Sequence, residues 1–303
     1  MDIKFQIQTL QKQTGFSQEK LAQLLGVSFA TLNSWINERS VPRPKAAQKI
    51  KELYEKYTGE TSLPQSELHK KFTQLLSLKK TFPRPLETIL KRPDLADEFM
   101  LALTYHSNRI EGNTLTEDET ASVLFNKNPL SNKSFSEQLE VKNHQTALMY
   151  LWKNLKTSAL DKEWVLKIHG MLMNGLREDA GLYRNHAVRI VGSYVPTANY
   201  LKIPLLMAAL AGRIKKKSPG LSTITQIHAD FEKIHPFSDG NGRVGRLLMH
   251  AMLLKMGFPP ALIRENSRRL YYTYLRKAQL EGDYSLLEDF LMDAVLESYK
   301  LIE

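Results

Sequence analysis

His235-Pro-Phe-Ser-Asp239-Gly-Asn-Gly242-Arg-Val-Gly-Arg246 is the segment from which the fold of this 303-residue chain is best inferred. It combines a histidine, a carboxylate, three glycines and two arginines, a mixture that neither a packed core nor an exposed loop requires. A strongly apolar run follows at 247–254, and its length is more typical of a buried helix than of a strand. The sequence therefore predicts a buried helix that begins at the glycines.

The start of this helix has the features of a phosphate-binding site. The first amides of a helix lack internal acceptors, and the helix dipole adds positive potential there. Gly240 and Gly242 allow these amides to approach an anion closely, while Arg243 and Arg246 supply forked donors for phosphate oxygens.

Two further side chains of the segment could take part in chemistry. Asp239 can hold a divalent cation against phosphates, and neutral His235 can accept a proton near pH 7. Residues 240–245 also satisfy G-x-G-x-x-G, but no strand precedes them as a dinucleotide fold requires. A zinc site is disfavoured because His228 and His235 are not spaced four residues apart.

The composition of the chain limits the partners, the cysteine chemistry and the location that we expect for the protein. The formal net charge of +10 favours contact with polyanions, although lysines scattered on solvated faces give the same total. The absence of cysteine excludes disulfides and thiolate metal sites. We find no signal peptide and no apolar run near the roughly 20 residues of a membrane span, so we expect a soluble, cytoplasmic protein without membrane partners.

The N-terminal region has a pattern of short helices with tight corners. Ser17 is a good N-cap for a helix over 18–25 that Gly26 closes, and Ser28 caps the next helix. This stretch resembles the helix-turn-helix of the lambda-repressor and Cro-like family. The resemblance implies that residues 17–39 contact DNA, although dimerisation or protein contact remains the alternative. The candidate DNA-contacting residues are Gln18, Ser28, Phe29, Thr31, Asn33 and Arg39.

The polar, breaker-rich stretch at 58–66 indicates a domain boundary. We therefore predict a helix-turn-helix domain over 1–58, a linker and helical connector over 59–94, and a mainly helical domain over 95–303. The predicted fold class is all-α, with one exception. A strand over 187–191 and its return to Pro204 predict a short β-hairpin flap, whose free edges could pair with an extended peptide.

A second informative stretch is Ser107-Asn-Arg-Ile-Glu111-Gly112. On a helix Ser107 and Glu111 lie one turn apart on the same face, and Gly112 ends the helix. Without further context this is a capped helix end with a structural role.

The full string His-Pro-Phe-x-Asp-Gly-Asn-Gly-Arg-x-x-Arg at 235–246 resembles the Fic family. Tyr183-Arg184, the flap, and Tyr271-Tyr272 with Glu281-Gly-Asp are also similar, so the likeness covers roughly 95–295. Ser107-x-x-x-Glu111-Gly112 resembles the inhibitory helix motif of some members, which places an inhibitory helix at about 100–112.

The resemblance implies an enzyme that transfers AMP from ATP to a Tyr, Ser or Thr hydroxyl of a target protein bound near the flap, about 185–204. His235 would be the base, and Asp239 would bind Mg²⁺. The residues assigned to ATP are Gly240, Asn241, Gly242, Arg243, Arg246, Tyr272 and Gln279. Gly242 stands where phosphate-transferring relatives carry a lysine, which supports AMP transfer.

The same resemblance assigns a regulatory role to Ser107 and Glu111, since Glu111 would pair with Arg246 and hold ATP in an unproductive pose. Two alternatives remain open. The protein is either chiefly an autoinhibited transferase, which could also remove AMP, or chiefly a DNA-binding transcriptional regulator whose Fic core senses nucleotide or is itself modified. A homodimer is compatible with both.

Overall fold

The computed structural model describes residues 2–126, 130–190, 194–215 and 220–303. These residues form fifteen α-helices and two short 3-10 turns. The first eight helices are α1 (Ile3–Thr14), α2 (Gln18–Leu25), α3 (Phe29–Ile36), α4 (Pro44–Thr58), α5 (Gln65–Thr81), α6 (Pro85–Lys91), α7 (Pro93–Glu111) and α8 (Glu117–Phe125). The other seven are α9 (Phe135–Asn154), α10 (Lys162–Leu172), α11 (Ile203–Ile214), α12 (Leu221–Ile234), α13 (Asn241–Lys255), α14 (Arg268–Glu281) and α15 (Ser285–Ile302). The predicted all-α class is confirmed.

The helix-turn-helix corner forms from the capping residues expected of it. The Ser17 hydroxyl accepts a hydrogen bond from the Lys20 amide at 3.2 Å, and Ser28 does the same for Thr31 at 3.2 Å. Gly26 ends α2 in the left-handed conformation, with φ of 72°, which glycine adopts without steric cost. Both helices therefore begin and end where the sequence predicts.

The described residues bury two hydrophobic cores. The smaller core lies inside the first four helices and includes Leu21, Leu32 and Trp35. The larger core includes Leu75 of α5 and Ile89 of α6, so these helices pack with the C-terminal part of the chain. The region between the two predicted domains is thus mostly packed helix.

The N-terminal helices rest on α14 and α15. Lys56 at the end of α4 contacts Asp289 with an N–O distance of 3.3 Å, and Lys71 of α5 contacts both Asp289 and, at 2.7 Å, Asp293. The Leu63 amide donates to the Ser285 hydroxyl at 2.9 Å. These contacts come from α4, from α5 and from the segment between them. They seat the helix-turn-helix on the larger core.

The centre of the larger core is the pair α12 and α13, joined by residues 235–240. The side chain of Phe237 is fully buried, and the Asn241 side chain closes the turn by accepting from the Phe237 amide at 2.9 Å and donating to its carbonyl at 2.8 Å. The predicted buried helix is α13. The segment thus crosses from one buried helix to the next through an anchored turn.

The predicted flap strand is wrong for the described residues. Residues 187–190 and 194–199 contain no strand, and Tyr200–Lys202 form a 3-10 turn; the tip at 191–193 lies outside the described residues. Side chains link the two limbs, since the Thr197 hydroxyl donates to the Val188 carbonyl at 2.9 Å and Arg184 donates to the Ala198 carbonyl at 2.6 Å. The two limbs are thus joined by side-chain hydrogen bonds and not by a β-ladder.

Within the described ranges, none of the helices is both long and apolar enough to cross a membrane.

Candidate active site

His235 sits at the junction of α12 and the turn, in the left-handed conformation with φ of 51°. Its Nδ1 lies 3.3 Å from the Glu232 carbonyl, an acceptor, so Nδ1 carries the proton and Nε2 is left free. Burial, assisted by the charge of Arg184, lowers the pKa of His235 below its ordinary value of 6.5. The imidazole is therefore neutral at pH 7 and able to accept a proton at Nε2.

Arg184 holds this junction in place. Its Nε donates to the His235 carbonyl at 2.7 Å and its Nη1 to the His186 carbonyl at 2.6 Å, while its amide donates to the Pro236 carbonyl at 3.0 Å. A non-glycine residue at positive φ persists only where its surroundings over-determine it. From the sequence, Arg184 is apparent only as part of the resemblance, because the His235 carbonyl that it binds is 51 residues away.

His169 of α10 supports the other end of the turn. Its ring stacks on Phe237 with centroids 3.7 Å apart, and its Nε2 donates to the Asp239 carbonyl at 3.2 Å. The Gly181 amide donates to its Nδ1 at 2.9 Å. Burial lowers the pKa of His169 to about 4, so it is a neutral, hydrogen-bonded structural residue, as its apolar helix face predicts.

The start of α13 presents free amides. The first hydrogen bond within the helix runs from the Val244 amide to the Gly240 carbonyl at 3.0 Å, so the amides of Asn241, Gly242 and Arg243 precede it. The Gly240 amide donates instead to Asp239 Oδ1 at 2.6 Å. The Asn241 side chain is committed to Phe237, which leaves only its backbone for an anion.

Glu111, at the end of α7, lies over this helix start. Its Oε1 is 2.7 Å from Nη2 of the buried Arg246. The Nε of Arg246 donates to the Ser107 hydroxyl at 3.0 Å and its Nη2 to the Ser107 carbonyl at 3.0 Å. An ideal Cβ on Gly242 would be 2.1 Å from Glu111 Oε1, so only glycine leaves room for this carboxylate. The structure thus brings Ser107, Glu111, Gly242 and Arg246 together.

The other arginine of the segment has different partners. Nη1 of Arg243 donates to Oε1 of Glu140, on α9, at 2.9 Å, and its Nη2 lies 3.6 Å from Asp239 Oδ1. Glu140 is not apparent from the sequence, since a glutamate in a helix 103 residues away carries no local signal.

Asp239 is suited to a metal ion that is coordinated mainly by a bound substrate. Its side chain is 58% exposed, and across the described ranges no group of three His, Asp or Glu side chains could hold a metal ion. One carboxylate together with substrate phosphates is how Mg²⁺ is commonly bound. The residues present therefore fit Mg²⁺ that arrives with a nucleotide.

The two residues assigned to the adenine pocket lie on α14. Tyr272 is 36% exposed, and the Arg268 guanidinium lies 5.7 Å from its ring centroid. Gln279 is buried, and its Nε2 donates to the Ala229 carbonyl at 3.1 Å. The Tyr272 ring is accessible to a base, whereas the Gln279 side chain joins α14 to α12.

Sequence reasoning also missed Glu232. Its Oε1 is buried without a hydrogen-bond partner among the described residues, beside Gly245, whose missing Cβ would lie 2.2 Å away. Burial, only partly offset by Arg246, raises the pKa of Glu232 to about 8. This carboxyl is thus largely protonated at pH 7.

Of the DNA-contact candidates, Ser28, Phe29 and Arg39 are exposed, and Thr31 and Asn33 are half-buried. The side-chain Nδ2 of Asn33 donates to Gln18 Oε1 at 3.3 Å, which joins α2 to α3. The exposed start of α3 is thus free of the larger core.

Fold and site together define an all-α protein with a neutral histidine beside a helix start that presents free amides and a buried arginine paired with a glutamate. Residues 159–253 match the Fic/DOC family, and residues 8–60 match a helix-turn-helix family. The chain therefore contains a Fic/DOC domain and an N-terminal helix-turn-helix domain, as the sequence resemblance indicated.

Curated relatives named protein adenylyltransferase Fic are similar to a large part of this chain. The chain is 36% identical to that of Nematostella vectensis over 186 residues, which are 59% of this chain and 43% of the relative. It is 33% identical to that of Culex quinquefasciatus over 215 residues, 69% of this chain and 42% of the relative. The chain thus spans about two fifths of the length of these relatives.

A fragment of Fic-1 from C. elegans shares the fold, with a TM-score of 0.68 and 20% identity over 94% of this chain and 84% of that one.

Proposed function

We propose that the protein transfers AMP from ATP to a hydroxyl group of a target protein and that Glu111 inhibits this reaction. The observation that carries the proposal is the Glu111 carboxylate at the start of α13, 2.7 Å from Arg246. At this position, where the free amides would bind an anion, the structure holds the carboxylate of Glu111. The curated relatives support the reaction type, since they are named adenylyltransferases.

The residues around His235 support the chemistry. The free Nε2 would take the proton from a Tyr, Ser or Thr hydroxyl as its oxygen bonds to the α-phosphorus of ATP. The bond from that phosphorus to the bridging oxygen of the β-phosphate breaks, and pyrophosphate leaves. The amides at 241–243 and the two arginines would stabilise the negative charge on the phosphates.

Mg²⁺, held by Asp239 and the phosphates, would supply further charge neutralisation when it is bound. Tyr272 is the exposed ring available to the adenine base. The flap limbs, held against the segment by Arg184, would present an extended strand of the target to His235.

Inhibition would follow from competition for Arg246. While Glu111 occupies its Nη2, the arginine cannot hold the γ-phosphate in the orientation that places the α-phosphorus in line with the attacking oxygen. Removal of the carboxylate frees this donor and vacates the space over Gly242.

The experiment compares wild-type protein, Glu111→Gly and Glu111→Gly/His235→Ala, each incubated with α-labelled ATP, Mg²⁺ and a cell lysate. We expect label on the protein itself and on a target with Glu111→Gly, and none with the double variant. Mass spectrometry of the labelled peptides then reports the modified residue. Equal labelling of wild type and Glu111→Gly would refute inhibition, and labelling that survives His235→Ala would refute the assigned base.

A second candidate function is DNA binding by residues 17–39, with the Fic core as a nucleotide sensor. The exposed start of α3 on a domain seated against α14 favours it. Salt-sensitive binding to one DNA sequence, lost in Arg39→Ala and unaffected by His235→Ala, would support it. Such binding without any protein labelling by Glu111→Gly would make regulation the main function.

A further inference from the structure

Arg243 is a buried cation whose charge is balanced mainly by one distant residue. It is 2% exposed, and its Nε has no hydrogen-bond partner among the described residues. Its shortest polar contact is to Glu140 Oε1 at 2.9 Å, whereas Asp239, at 3.6 Å, is the group assigned to Mg²⁺. Since a buried guanidinium needs a partner, Glu140 is the group that can keep Arg243 in place when Asp239 is engaged.

Glu140 is itself held in a defined position. Its second oxygen, Oε2, accepts from Asn113 Nδ2 at 2.9 Å. Asn113 is 6% exposed and is fixed on both sides, since Nδ2 also donates to the Glu137 carbonyl at 3.1 Å and Oδ1 accepts from the Leu115 amide at 3.0 Å. The Glu140 carboxylate therefore links Arg243 to the chain just after α7.

The end of α7 is thus connected to both arginines of the 235–246 segment. Glu111 reaches Arg246 directly, and Asn113 reaches Arg243 through Glu140. The two carboxylates differ in one respect: the atoms nearest to a Cβ on Gly242, over the helix start, belong to Glu111 and Arg246, whereas Glu140 contacts Arg243 from α9. One carboxylate competes with the phosphates, and the other leaves room for them.

We infer that Glu140 is a positioning residue that holds the Arg243 guanidinium at the phosphate end of α13, with Asn113 fixing its orientation. Glu140 and Glu111 then have opposite effects on the same reaction: loss of Glu111 activates, and loss of Glu140 inactivates. A further consequence is that the end of α7 stays anchored in Glu111→Gly, so release of Glu111 does not require α7 to move. The inference rests on the proposed function for its kinetic test.

The test uses the full chain carrying Glu111→Gly as the active background, with Glu140→Ala or Glu140→Gln added. For Glu140→Ala we expect a fall of about tenfold or more in kcat/KM for ATP, with a rise in KM, because an unpaired Arg243 no longer meets the phosphates in one geometry. Glu140→Gln keeps an oxygen for Arg243 but places a donor against Asn113 Nδ2, so we expect partial recovery.

A matched control is Glu137→Gln, one turn earlier on α9. The Glu137 carboxylate accepts from the Thr114 amide at 2.6 Å and thus supports the same corner without an assigned contact to Arg243. We expect its constants for ATP to equal those of the background. A loss in Glu137→Gln as large as that in Glu140→Ala would overturn the inference, because general loosening of the corner would then explain both.

Calorimetric binding of ATP with Mg²⁺ separates this inference from the proposed reaction. If Glu111→Gly labels no protein yet binds ATP, the proposed function fails, while weaker binding in Glu140→Ala than in Glu140→Gln still supports the positioning role. Unchanged ATP affinity and unchanged kcat/KM in Glu140→Ala, with a melting temperature that shows a folded protein, would overturn it.

Discussion

The carboxylate of Glu111 occupies the space that Gly242 leaves by having no side chain: an ideal Cβ at 242 would be 2.1 Å from Glu111 Oε1. The φ of Gly242 is not positive, so backbone conformation does not demand glycine there. A side chain at 242 would instead displace the Glu111 carboxylate from this position. The same opening that would admit a phosphate to the free amides of α13 therefore admits the glutamate.

The contribution of Ser107 can be separated from that of Glu111. Ser107→Ala removes the hydroxyl that accepts from Arg246 Nε but leaves the Ser107 carbonyl and Glu111 in contact with the guanidinium. We expect self-labelling with ATP to rise in Ser107→Ala, by less than in Glu111→Gly. Initial labelling rates of the two variants at equal ATP measure this. A rate in Ser107→Ala equal to that of Glu111→Gly would show that the hydroxyl, not the ion pair, retains the arginine.

We expect replacement of Arg184 to lower both activity and stability. Arg184→Lys supplies one ammonium in place of a fork that reaches the carbonyls of His235, His186 and Ala198. Each buried carbonyl left without a donor costs about 1–3 kcal/mol. We expect a lower melting temperature and, in the Glu111→Gly background, a fall in kcat for labelling. Normal kcat at a lowered melting temperature would mean that Arg184 supports the fold without positioning His235.

The acid limb of the pH profile reports His235. Because burial lowers the pKa of His235, its neutral form persists below the ordinary value of 6.5. In Glu111→Gly we expect the acid limb of kcat for AMP transfer to have its midpoint below pH 6.5. Single-turnover rates between pH 5 and 9 would show this, with melting temperatures recorded at each pH. An acid limb centred above pH 6.5 would assign the base to another group.

We expect His250 of α13 to contribute to the loss of stability of the folded chain at acidic pH. Burial lowers the pKa of His250 to about 3, so between pH 6.5 and about 3 the unfolded chain binds a proton that the folded chain does not. Stability contributed by the neutral ring is therefore present above pH 6.5 and is lost as the pH falls. In the His250→Leu variant the free energy of unfolding should therefore depend less on pH, by up to about 1.4 kcal/mol per pH unit in that range.

Denaturant unfolding at pH 7 and pH 5 would measure the effect. The other buried histidines remain in the variant, so we expect a shallower slope and not a flat one. An unchanged slope would show that His250 takes up its proton in the folded state.

Local signals in the sequence determined most of the secondary structure and the catalytic candidates. Capping residues determine helix ends through local hydrogen bonds: the Ser17 and Ser28 hydroxyls accept from the Lys20 and Thr31 amides, and the Gly26 amide donates to carbonyls at the end of α2. The 235–246 segment is informative for the same reason: its glycines, arginines and histidine act on the helix start that they themselves form. The strand predicted over 187–191 is absent from its described part, 187–190, because a strand requires a partner that local sequence does not name.

The tertiary structure alone decided how these parts meet. Glu140 and Glu232 became visible only when the packing of α9, α12 and α13 placed one against Arg243 and buried the other. Folding also seated the helix-turn-helix on α14 and α15, whereas the contact of Glu111 with Arg246, 135 residues away, was implied by the family resemblance and not by spacing. The physical reason is common to all of them: an ion pair or a shifted pKa depends on distance and burial in the folded chain, and neither is written in the spacing of residues along the sequence.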